Sequence, residues 1–170
     1  MKLQVGDIFT IPVNENKTGF GQILEIPNKN NFIIAVYEKI YSGKDWPSLL
    51  EIVSDEVLLL GYTVDAKLYH KHWKIIGNLS ISSGRIKLPF FKLGTAPDCK
   101  LTDYKGESIK KIGAELFDRL NYQAVIAPVR YENALKAYCG FGEWKSEYDN
   151  MLYVKTLESI ENVRKFDSIE

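Results

Sequence analysis

The segment Phe32-Ile33-Ile34-Ala35-Val36-Tyr37 is apolar throughout. A strand with one face in water alternates apolar and polar residues, so a run without alternation must be covered on both faces. It therefore predicts a central strand inside a layered fold. Two further strands lead into it. Phe9, Ile11 and Val13 share one parity, and Pro12, with no N–H for a ladder, marks an edge or a strand end. Phe20, Gln22, Leu24 and Ile26 alternate with Gly21, Ile23 and Glu25. The polar stretches 14–18 and 27–31 are turn-sized, and such short links join antiparallel neighbours. The first third of the chain thus predicts an antiparallel meander.

The remainder mixes strands and helices. Leu49, Ile52 and Val53 have helical spacing after Pro47, which suits a first helical position. Residues 57–64 return to a strand pattern, 65–72 suit a helical turn, and Trp73-Lys74-Ile75-Ile76-Gly77-Asn78 reads as a strand closed by Gly-Asn. Residues 80–87 are loop-like, and 99–104 with 105–109 suit a hairpin around Lys105-Gly106. Ile109, Ile112, Leu116 and Leu120 predict an amphipathic helix despite Gly113. Residues 122–127 predict a strand ended by Pro128, and 131–138 a helix stopped by Cys139-Gly140. Trp144, Tyr148, Met151 and Leu152 match another helical face; Leu157, Ile160 and Val163 predict a last helix capped near Thr156. The fold class expected is α+β. A twisted, mostly antiparallel sheet or partly open β-barrel occupies the N-terminal half, with helices from the C-terminal half packed on it. With no repeat or linker, residues 1–170 read as a single domain in which 141–170 form a C-terminal helical extension.

Charge narrows the function classes. The chain has 22 Lys plus Arg against 22 Asp plus Glu. Nucleic-acid binders carry a basic excess or stripe, so no nucleic-acid partner is expected. The longest apolar runs, 33–37 and 57–62, fall far short of the roughly 20 residues of a membrane span. The N-terminus lacks the apolar core of a signal peptide. Cys99 and Cys139, without a leader, predict two reduced thiols in a cytoplasmic protein.

A search for catalytic chemistry finds little. The nucleophile elbow, the phosphate-binding Gly-Lys loop and His-Glu-x-x-His are all missing. Gly19-Phe20-Gly21 matches half of a dinucleotide fingerprint, but a turn entering a strand explains it better. His70 and His72 would point the same way in an extended segment and, with Asp65, suit zinc; two solvated histidines are the simpler reading. Cys139 lies at a helix end, where a thiolate is not favoured, and Cys99 has Lys100 beside it but no histidine near in sequence. The carboxylate pairs Asp55-Glu56 and Glu143/Glu147 read as solvated surface charge. No catalytic residue, metal or cofactor is expected.

Several segments carry a resemblance. They are Val5-Gly6-Asp7-Ile8-Phe9-Thr10-Ile11-Pro12, Gly19-Phe20-Gly21-Gln22-Ile23-Leu24, Asp65-Ala66-Lys67-Leu68, Trp73-Lys74-Ile75-Ile76-Gly77-Asn78-Leu79, and Ala124-Val125-Ile126-Ala127-Pro128 leading into the helix that ends at Tyr138. In order and spacing they resemble the immunity protein 26 family of bacterial polymorphic-toxin systems, over about residues 3–140. The resemblance implies a cytosolic protein, encoded beside a toxin, that protects its cell by binding that toxin, and it supplies no catalytic residues. The motif residues read as scaffold. Gly6 and Asp7 suit a turn, Gly19 and Gly21 relieve crowding, Trp73 with Ile75 and Ile76 anchors a core, and Gly77 turns the chain.

The binding face is then expected on loops over that scaffold. Tyr37, Glu38, Tyr41, Asp45, Trp46 and Glu51 form the first candidate, since tight interfaces use aromatic anchors ringed by polar groups. Trp46 as a lid packed on the sheet is the competing reading. Tyr138, Phe141, Trp144 and Tyr148 form a second set that suits core packing. Two other functions stay open: a small β-barrel module for nucleic acid or peptide, and a metal-assisted enzyme using His70 and His72.

Overall fold

A computed structural model describes residues 2–43, 45–80 and 84–167. Part of the loop expected over 80–87, namely 81–83, lies outside the described residues, as do Lys44 and 168–170. The chain divides into two compact units, Met1–Arg85 with Val125–Tyr153, and Ile86–Ala124 with Val154–Glu170. The segment 141–170 is shared between them.

The first unit holds an open, antiparallel five-stranded sheet of β1 (Asp7–Pro12), β2 (Lys17–Glu25), β3 (Phe32–Ser42), β4 (Val57–Thr63) and β5 (Ile75–Asn78), in the order β4-β3-β2-β1-β5. The meander expected from the alternating segments is present, and Phe32–Tyr37 is buried at every position. β1 pairs on both sides, so Pro12 marks a strand end and not an edge. Gly77 and Asn78 do not turn the chain. They are paired with Ile8 and Asp7, and the ladder overrides the turn propensity of Gly-Asn.

Both faces are covered. On one, Phe9, Ile11, Ile23, Ile34, Val36 and Trp73 pack with Tyr131, Ala134 and Leu135 of α4 (Pro128–Tyr138) and with Tyr148 and Met151 of a 3-10 helix at Ser146–Met151. Leu68 of the short α2 (Ala66–Tyr69) joins them. On the other, Ile8, Phe20 and Tyr37 pack on Ile52 of α1 (Leu49–Val53). Pro128 does not end a strand over 122–127. It opens α4, where its missing N–H is no loss, and Val125 makes only an isolated bridge to Tyr62.

The second unit has a three-stranded antiparallel sheet, β6 (Phe91–Leu93), β7 (Lys100–Thr102) and β8 (Ser108–Lys111), with α3 (Ala114–Arg119) and α5 (Tyr153–Asp167). Leu101, Leu116, Leu120 and Val163 form its core. The helix expected from Ile109 starts only after Gly113, because Ile109 belongs to β8. The three-residue spacing there spans a strand and a helix.

Two of the motif glycines show why a side chain is excluded. Gly6 has φ +92°, and a Cβ there would stand 2.8 Å from the Leu79 carbonyl oxygen. A Cβ on Gly21 would stand 2.5 Å from the Phe9 ring and 2.8 Å from the Ala35 carbonyl oxygen. Neither neighbour can yield without shifting the sheet. Gly21→Ala should therefore destabilise the protein by about 1–3 kcal/mol, read as a lower urea midpoint. Gly19 and Gly77 make room for Leu135 and Leu49, respectively.

Candidate functional site

The candidate face is built where β3 leaves the sheet and α1 folds back over it. Ser48 starts α1 with a capping box. Its Oγ accepts the Glu51 N–H at 3.3 Å, and Glu51 Oε2 accepts the Ser48 N–H at 2.8 Å. Pro47 thus precedes the cap and does not open the helix. The hydrogen bond from the Ser48 side chain, then that from its backbone, holds the Glu51 carboxyl below the usual range. The short helix points Ile52 inward, Leu49 against Gly77, and Leu50 into solvent at 66% exposure.

Of the six residues expected on this face, Tyr37 lies beneath it, 1% exposed. Its hydroxyl donates to Gln22 Oε1 at 2.7 Å, while Gln22 Nε2 donates to the Leu79 carbonyl at 2.9 Å and the Gly6 carbonyl at 3.2 Å. Burial pushes the Tyr37 hydroxyl up to about 12, so it stays a neutral donor. The network fastens the floor of the site. Tyr41 is half-buried, Asp45 and Glu51 are exposed, and Glu38 is intermediate. Trp46 sets its ring edge-on to the buried Phe20, centroids 5.6 Å apart, with 39% of its surface still open. Tyr41 contacts the same ring at 5.6 Å. The indole is therefore supported from below and presented above.

Next to this patch lies a cavity of about 470 Å³, lined by Glu38, Lys39, Asp55, Glu56 and Tyr138 among others. Asp55 is not solvated surface charge. It is buried, its Oδ2 accepts the Lys39 backbone N–H at 2.8 Å, and its carbonyl accepts Arg85 Nη2 at 2.7 Å. The Tyr138 hydroxyl donates to Glu38 Oε1. That bond, more than burial, raises the Tyr138 hydroxyl. Tyr138 is 47% exposed, so it leaves the core set in which its sequence neighbours placed it. In that set Phe141 is also open, Trp144 is half-buried and Tyr148 is fully buried. No local signal links residues 38 and 138; only the docking of α4 does.

The scaffold motif sits elsewhere. Trp73 is 1% exposed, stacks on Phe9 at 5.0 Å and 8°, and donates its indole N–H to Glu132 at 3.1 Å. Ile75 and Ile76 pack into the two opposite layers. Asp7 accepts from the Gln4 N–H and from Asn78 Nδ2, each at 2.8 Å.

His70 and His72 are exposed, with ring centroids 6.3 Å apart. The segment is not extended, since His70 closes α2 and Lys71 takes φ +57°. Among the described residues no three His, Cys, Asp or Glu side chains are grouped to hold a metal. Cys99 and Cys139 are free thiols, and burial raises that of Cys139. No described helix is long and apolar enough to cross a membrane.

A protein-family model described as Immunity protein 26 matches residues 4–101. The match covers β1 to β5 and the loop carrying Trp46, and stops well before the residue-140 limit of the resemblance. No curated protein and no solved structure matches the chain.

Proposed function

The chain belongs to the Immunity protein 26 family, and from that premise we propose that it binds and neutralises a cognate toxin, protecting the cell that makes both. Capture is non-covalent and needs no catalytic group. The toxin is encoded by an adjacent gene, and the complex forms in the cytoplasm. The family match is the observation that carries this reading. The face formed by Glu38, Tyr41, Asp45, Trp46 and Glu51 is the proposed contact surface, with Tyr37 as its buried support. An exposed indole on a rigid floor, ringed by carboxylates, has the composition of an interface hot spot. Balanced overall charge leaves affinity to shape and local complementarity.

Coexpression tests this. The product of the neighbouring open reading frame should arrest growth alone and be tolerated beside this protein. Growth that is normal without the protein, or arrested despite it, contradicts the proposal.

A further inference from the structure

We propose that the cleft between the end of α1 and Tyr138 receives an arginine side chain from the partner, so that the partner's docking face is basic with an apolar projection. The proposal rests on the immunity reading and names the chemistry of the surface that is captured.

Three carboxylates, Glu38, Asp55 and Glu56, line the cleft with one ammonium, that of Lys39, and a further cation beside them, Arg85, has its guanidinium already engaged by the Asp55 carbonyl. Lys39 Nζ lies 3.4 Å from Asp55 Oδ1, with the lysine side chain 67% exposed and the carboxylate 4%, so the ammonium can turn out into water where an arriving guanidinium takes its place at the buried carboxylate. The acceptors are held in place beforehand. Asp55 is fixed through its carboxylate and its carbonyl, and Glu38 is fixed by Tyr138. At about 470 Å³ the cleft is large enough for a long side chain. A guanidinium suits it better than an ammonium. Its planar fork can bond two carboxylates at once, and its face can stack on the open Tyr138 ring.

A second feature adjoins the cleft. Trp46 and Leu50 are exposed, and Leu50 stands one helical turn before Ser54, which lines the cleft and donates its hydroxyl to the Leu50 carbonyl. The patch is rimmed by Asp45, Glu51 and Glu56, all exposed. Apolar anchors beside an acidic cleft complement a partner segment in which a hydrophobic residue neighbours an arginine.

The full chain, labelled with ¹⁵N, would be titrated with N-acetyl-arginine amide, N-acetyl-lysine amide and the neutral N-acetyl-citrulline amide. The arginine probe should give saturable shifts at the amides of Lys39, Ile40, Glu56 and Tyr138. Lysine should bind more weakly and citrulline should leave them unmoved. Glu38→Gln/Glu56→Gln should abolish the response, its own spectrum reporting the fold, while Trp46→Ala should keep it. Equal shifts with citrulline, tighter binding of lysine, or no response to arginine would overturn the proposal in the unmodified protein. Cells left unprotected while the arginine titration succeeds would sink the immunity reading alone. Protection without the titration would sink the cleft alone.

Discussion

Trp73→Ala is expected to destabilise the protein by about 3–5 kcal/mol, the range for removing a fully buried tryptophan. The indole lies flat on Phe9, fills the layer beneath α4, and gives its N–H to Glu132. Alanine would leave a cavity between sheet and helices that rigid neighbours cannot close. At about 2–4 °C per kcal/mol for a chain of this size, the thermal midpoint should fall by about 6–20 °C. Trp73→Phe keeps most of the ring volume and loses the rest together with the hydrogen bond to Glu132, so it should fall less. A shift for Trp73→Ala as small as that for an exposed residue would show that the motif tryptophan does not anchor this layer.

Glu132→Ala should cost about 3 kcal/mol, the low end for breaking a buried ion pair. The Glu132 side chain is 9% exposed and accepts from Lys136 at 2.7 Å, from Trp73, and from Lys67 at 3.1 Å. Its loss strands the indole N–H and two ammonium groups. The lysines are 23% and 28% exposed, so they recover some hydration, which sets the low end. Burial alone would raise the Glu132 carboxyl, but the bonds from Lys136, Lys67 and Trp73 and the Lys136 charge together lower it below 4.5. A depressed folded-state value gives stability that is complete above the unfolded value and lost as pH falls through the folded one. The urea midpoint should therefore drop below about pH 4.5 more steeply in the wild type than in Glu132→Gln. Parallel curves would remove the carboxylate from this account.

The sheet was readable because its strands announce themselves locally. Phe32–Tyr37 has no polar residue, and Phe9, Ile11 and Val13 keep one parity. The α1 start was misplaced by two residues, because Pro47 suits a first helical position while the helix opens at Leu49 behind the Ser48 cap. Residues 109–120 and 122–127 were misread because apolar spacing does not register where one element stops. β8 stops at Lys111 and Gly113 caps the start of α3, and Val125 meets the sheet by a single bridge. At the site, Trp46 and Tyr41 stood out as aromatics at the exit of the third strand, and Tyr41 still belongs to β3, paired with Thr18. Tyr37 belongs to the run expected to be covered, and its buried bond to Gln22 takes it off the binding face on which the aromatic cluster had placed it. The cleft was illegible, because Glu38, Asp55 and Tyr138 meet only when β3, the end of α1 and α4 are assembled.

If Trp46 contacts the toxin as proposed and does not hold the fold, binding and stability must separate at this one residue. Affinity for the toxin and the thermal midpoint would be measured together for Trp46→Ala. The account predicts affinity weaker by about 2 kcal/mol, roughly 30-fold, as for an interface hot spot. The midpoint should move by no more than about 2–4 °C. Unchanged affinity with a midpoint lowered as far as that of Trp73→Ala would make Trp46 a packing residue and contradict the account.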